Sequence, residues 1–211
     1  MPSHQIHIGI GQELNKYYNF DKDLFYLGCI LPDLGENHFI SHFKKNHREY
    51  DYERFINNYY DKNNPVIVGY LVHILSDDYF NKYVRKNHYL HDDKLYGIKY
   101  QGKVFYGTPR EVTDKKQAGF YDYEHYLLNN KKIPKLDYVD LQKLTKIKEC
   151  NYDDKFIKEY IDTHNELIKK DDYEITYEIF TFDELDKLYK GSIEYIKKYL
   201  DNLNNKLENN K

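Results

Sequence analysis

The run from Val66 to Asp78, VIVGYLVHILSDD, constrains this chain more than any other stretch. Asn64-Pro65 just before it is a strong helix start, with Asn at the cap and Pro at the first helical position. The pattern predicts a helix from Val66 to Tyr83 whose first turns are apolar on every side. Such a helix belongs in the middle of a core. Yet it carries His73 and Asp77, four residues apart and so on one face. With Tyr70, Leu71, Val72, Ile74 and Leu75 around it, His73 is expected to be buried. A buried imidazole and a buried carboxylate are costly unless each finds a strong partner. A metal ion is one such partner, because neutral His and ionised Asp are natural ligands for Zn²⁺ and similar ions. A His–Asp hydrogen bond without an ion is the other. The same HxxxD spacing recurs at His47/Asp51 and His88/Asp92, within KKNHREYDYE and RKNHYLHDDK, which read as solvated surface.

The rest of the chain reads as further helices around that one. Apolar residues recur at three- and four-residue intervals from Ile8 to Phe20. A helix through Leu24, Phe25, Leu27 and Ile30 is capped by Asp21 or Asp23 and stopped by Pro32. Further helical patterns cover Asp51 to Tyr60, Lys116 to Asn129, Asp137 to Cys150, Asp153 to Lys170 and Thr181 to Leu207. Two short alternating runs around Gln101-Gly102 predict a small β-hairpin near 99–106. The fold class is therefore mainly α: one helical bundle with one hairpin. A chain of 211 residues can form it as a single domain. The polar end, residues 201–211, is expected to fray.

Bulk properties narrow the partners. A net charge of -3 suggests neither an obligatory nucleic-acid partner nor an anionic membrane. No stretch approaches the roughly 20 apolar residues of a membrane span, so stable membrane insertion is not expected. The N-terminal residues do not read as a secretory signal. Cys29 and Cys150 form no CxxC pair, which fits reduced thiols in a cytoplasm. The 25 tyrosines read as core-edge aromatics and carry no functional weight.

Three further elements accompany the HxxxD helix. His7 stands in the apolar stretch Ile6 to Ile10. Asp33 follows Gly-Cys-Ile-Leu-Pro, which places a carboxylate at a Pro-fixed turn. His38 and His42 share a helical face in the segment that ends Ser-His-Phe43. Singly, these read as a core histidine, a helix cap and surface residues. Together with the apolar helix they form a candidate ligand set.

The order MPSxxIH, LGxxLPD, Ser-His-Phe and GYLxHxxxD resembles bacterial proteins of the zinc-dependent phospholipase C superfamily. That superfamily includes the single-strand-specific zinc nucleases of fungi and plants. The resemblance covers about residues 1–80. It implies an all-helical fold holding up to three zinc ions that hydrolyse phosphate esters. It also implies His7, Asp33, His42, His73 and Asp77 as metal ligands, with His38 as an alternative to His42. The secreted enzymes bind metal through an N-terminal Trp, which is lacking here. None of His88, His91, His125 and His164 reproduces the family's later ligands convincingly, although His88, His91 and His125 stand as candidates for a second ion. One or two zinc or other divalent ions are therefore expected rather than three.

The expected function is a metal-dependent hydrolase acting on a phosphate mono- or diester through a metal-activated water. Its substrate would be a small phosphate ester, a phospholipid or a nucleotide. Asp33 is expected both to bind metal and to orient or deprotonate the water. Tyr70 and Ser76 are expected to help hold the ligands. Two alternatives stand beside this reading. An HD-type phosphohydrolase is suggested by His91-Asp92. The other is a non-catalytic helical interaction protein with a decayed site.

Overall fold

The computed structural model describes residues 2–46, 48–92, 95–140, 144–169 and 173–209, with only the backbone of 91, 92 and 95. The chain is mainly helical. Its elements are α1 (His4–Tyr18), α2 (Lys22–Gly28), α3 (Leu31–Leu34), α4 (His38–Ser41), α5 (Tyr52–Tyr59) and α6 (Pro65–Asn87). Then come β1 (Tyr89–Asp92), β2 (Leu95–Tyr100), β3 (Lys103–Gly107), α7 (Pro109–Asn129), α8 (Asp154–Leu167) and α9 (Phe182–Asn209). Among the described residues no helix is long and apolar enough to cross a membrane.

The central helix is α6. Its start follows from Asn64, whose side chain accepts from the backbone N–H of Val66 and Ile67, with Pro65 next in line. Every residue from Val66 to Asp78 is buried. Helices α1, α2, α3, α5 and α9 all pack on it. The tightest of these contacts is with α2 and is made by glycines. A Cβ on Gly28 would sit 2.5 Å from the carbonyl of Val66, and one on Gly69 would collide with the carbonyl of Phe25. The two backbones therefore touch directly.

The predicted hairpin is present and larger than expected. β2 and β3 pair antiparallel around Gln101-Gly102, both at positive φ, and β1 adds a third strand on the other side of β2. α7 begins at Pro109, seven residues before the helical pattern was read, because Thr108 and Glu111 form a reciprocal capping box.

Other boundaries needed correction. α1 starts at His4, so His7 lies on the helix rather than ahead of it. Pro32 does not stop a helix; it sits in the first turn of α3, where its missing N–H is harmless. The helix read from Asp137 to Cys150 is not helical at 137–140 or 144–150, and 141–143 lie outside the described residues. In that stretch Leu144, Ile147 and Cys150 are buried one at a time along an irregular path. The polar end of the chain is helical to Asn209, and the Tyr60 hydroxyl donates to Asn204 across 2.8 Å.

Candidate metal centre

Four elements bring five predicted residues together. α1 supplies His7, α3 supplies Asp33, the residue after α4 is His42, and α6 supplies His73 and Asp77. His7, His42, His73 and Asp77 are fully buried, while the Asp33 side chain is 9% exposed. His42 Nε2 and His73 Nε2 lie 3.0 Å apart. Asp33 Oδ1 is 3.2 Å from the first and 3.7 Å from the second. Asp77 Oδ2 is 3.4 Å and 3.8 Å from the same atoms. Asp77 Oδ1 lies 3.4 Å from His7 Nε2. Ligands held about 2.0–2.2 Å from one ion stand roughly 3–3.6 Å from one another, so these separations are those of a coordination shell.

The outward-facing nitrogens decide which atoms point inward. His73 Nδ1–H donates to the carbonyl of Cys29 at 2.7 Å, so a neutral His73 presents an Nε2 lone pair. Ser76 donates its hydroxyl proton to the carbonyl of His73 at 2.9 Å and therefore accepts from His7 Nδ1–H at 2.7 Å. Ser41 donates to the carbonyl of Pro32 at 2.7 Å and so accepts from His42 Nδ1–H at 3.1 Å. The Tyr70 hydroxyl in turn donates to the Ser41 carbonyl. Each imidazole is thus fixed in the tautomer that leaves Nε2 bare. Three nitrogen lone pairs and two carboxylates face one point. The Tyr50 hydroxyl donates to Asp77 Oδ2 at 3.4 Å. His7 Nε2 and Asp77 Oδ1 have no hydrogen-bond partner although both are buried. Acceptors alone cannot satisfy one another; a cation can.

The electrostatics agree with that reading. Burial pushes the His42 and His73 imidazoles down from their ordinary value, which keeps them neutral. Burial alone would raise the Asp33 and Asp77 carboxyls, but the surrounding imidazoles hold both below the usual carboxylate range. Neutral His and ionised Asp are the forms that bind metal. Buried His/Asp groups here could hold a metal ion.

Asp33 also faces outward. Its Oδ2 is 3.2 Å from His4 Nε2, and His38 Nε2 is 3.5 Å from its Oδ1. Asp33, His4 and His38 line an open cleft of about 1250 Å³. His38 stacks on His42 with ring centroids 3.6 Å apart, so it accompanies His42 rather than replacing it. Sequence reading missed His4, although its spacing of three from His7 on one helix was the signal.

The remaining histidines lie elsewhere. His88 was expected on a solvated surface but is buried, bonded to Glu184 at 2.5 Å and to the Lys99 carbonyl at 2.7 Å. His125 stacks on Tyr173, and His164 donates to the Pro134 carbonyl. Among the described residues, none of these joins the ligand cluster. The side chains of His91 and Asp92, the basis of the HD reading, and the whole of His47 lie outside the described residues. No family model matches the chain, and neither does any curated protein or solved structure.

Proposed function

We propose that the chain is a metal-dependent hydrolase of phosphate mono- or diesters, with zinc held by His7, Asp33, His42, His73 and Asp77. One observation carries the reading: three bare Nε2 atoms and two carboxylates converge beside a cleft, and Asp33 faces both the cluster and the cleft. A mixed nitrogen and oxygen donor set of this kind suits zinc. The motif order shared with the zinc-dependent phospholipase C superfamily supports phosphate-ester chemistry. When bound, the ion supplies Lewis acidity toward a phosphoryl oxygen and lowers the pKa of water.

The chain's own residues would do the rest. Asp33 is the carboxylate placed to orient a water entering from the cleft and to accept its proton. His4, hydrogen-bonding distance from Asp33 Oδ2 and partly exposed at the cleft edge, is placed to pass that proton to solvent or to the leaving group. Ser41, Ser76 and the Cys29 carbonyl keep the ligand imidazoles aimed.

The test is metal analysis of untagged protein followed by assays of the zinc-loaded form on a panel of phosphate esters. The reading expects stoichiometric zinc and turnover of at least one ester. It also expects Asp33→Asn to lower that turnover by about a hundredfold, within the usual range for a general base. Protein that takes up no zinc would sink it.

A further inference from the structure

Away from the ligand cluster, the same cleft changes sign. Lys44, Arg48, Arg85 and Lys116 line it, whereas its acidic lining among the described residues is Asp33 and Glu124. The chain as a whole carries a net charge of -3, so this concentration is local. The four side chains come from the turn after α4, the loop before α5, the last turn of α6 and the middle of α7. Separate elements thus converge on one basic surface against their mutual repulsion.

Two details show that the surface is built. Lys116 is 5% exposed, and an ammonium in such a place is expensive unless an anion accompanies it. Among the described residues, no ion pair joins Lys116, Arg85 or Arg48 to a carboxylate. The Arg85 guanidinium donates to the carbonyl of Arg48 at 3.1 Å, which fixes the loop that carries Arg48. The basic surface is also close to the ligand cluster. Lys44 interacts with Asp77 and Asp33, and Lys116 with Asp77, while Lys44 and Lys116 each feel Arg85 as a like charge. Burial pushes the Lys116 amine down, and a bound anion would oppose that shift.

The cleft is too large for one phosphate. At about 1250 Å³ it exceeds the roughly 300–1,000 Å³ typical of sites for whole small molecules. We propose that it takes a small-molecule substrate carrying two phosphate groups, one at the Asp33 edge of the metal centre and one on Lys116, Arg85 and Arg48. The proposal rests on the hydrolase reading above for the scissile phosphate alone. A headgroup bearing a quaternary ammonium would place a fifth cation among four, so a zwitterionic phosphodiester is a poor fit.

The test is calorimetric titration of the full chain, metal-free and zinc-loaded, with fructose 6-phosphate and fructose 1,6-bisphosphate as probes. The bisphosphate should bind at least about tenfold tighter, and that ratio should fall at least about threefold in Arg85→Gln and in Lys116→Gln. Because Lys116 is buried, the double variant Arg48→Gln/Arg85→Gln, at more exposed positions, carries the same test independently of how Lys116→Gln folds. Equal affinity for the two probes overturns the proposal. So does a bisphosphate preference that survives in the double variant. Zinc uptake with equal probe affinities would overturn this inference and leave the hydrolase reading intact. A charge-dependent preference in protein that takes up no zinc would do the reverse.

Discussion

Among the described residues, two buried histidines that meet carboxylates invite comparison, His73 in the ligand cluster and His88 beside Glu184, and only the second is complete without an ion. His88 donates from Nδ1 to the Lys99 carbonyl and from Nε2 to Glu184, which also accepts from the Tyr83 hydroxyl. Glu184 Oε1 and the Lys99 carbonyl each have a donor. Glu184 and the Lys99 carbonyl accordingly push the His88 imidazole up from its ordinary value, against the effect of burial. At the α1–α6 contact the balance is reversed, because Ser41, Ser76 and the Cys29 carbonyl take the imidazole protons outward. Burial of His and Asp is therefore not in itself the mark of a metal site. The mark is a surplus of acceptors over donors.

The largest expected effect separates the two groups by mutation. His73→Ala should abolish stoichiometric zinc binding, and with it the stabilisation that zinc gives the parent protein. That stabilisation is about 4 kcal/mol when free zinc exceeds Kd a thousandfold. His88→Ala should keep its zinc and lose about 1–3 kcal/mol, because the Lys99 carbonyl loses its donor and Glu184 loses one of its two. Metal analysis and thermal melting, with and without zinc, read both. Zinc loss in His88→Ala with retention in His73→Ala would break the comparison.

A smaller effect tests the orienting hydroxyls. Ser41→Ala and Ser76→Ala each remove the acceptor that fixes one ligand tautomer, and each should weaken zinc binding by roughly 10–100-fold. Competition with a chromophoric chelator measures this directly. Unchanged affinity in both would mean that the tautomers are set by something else.

The smallest effect is in pH. An unperturbed histidine in the unfolded chain takes up its proton near 6.5, whereas His42 and His73 in the fold do so at lower pH. Between those values the unfolded state binds more protons, so metal-free protein should lose stability as pH falls below about 6.5. His88, raised in the fold, acts oppositely: its contribution is present at low pH and is lost as pH rises through its folded value. His88→Gln should therefore flatten the gain in melting temperature as pH falls toward about 6.5, and leave the decline below it unchanged. A loss of the decline below about 6.5 in that variant would contradict the assignment of opposite signs.

How much was legible depended on whether a side chain's neighbours in sequence are its neighbours in space. α6 could be read because its cap, its Pro and its apolar turns are all local. His73 and Asp77 followed from helical spacing, and His7 and Asp33 from the apolar runs beside them. His4 escaped because it stands between Ser3 and Gln5 rather than in an apolar run, although its spacing of three from His7 on α1 marks it. The cationic cleft escaped because its residues come from three separate stretches of sequence, each an ordinary polar context. The false helix at 137–150 arose because buried residues three or four apart mimic helical periodicity. Just before that stretch the Asn165 side chain of α8 holds the chain by Leu136, accepting from its N–H at 3.0 Å and donating to its carbonyl at 2.8 Å.

The glycine contact between α2 and α6 works as a gauge block for the metal centre. Cys29 follows directly on Gly28, and its carbonyl is the stop against which the His73 ring rests. The thickness of that contact, one bare backbone against another, thus sets the ring's reach toward the other ligands. A single methyl at position 28 or 69 would act as a shim some distance from every ligand, and the aperture of the site would widen with it. The tolerance of the centre is in that sense machined by two residues that have no side chain.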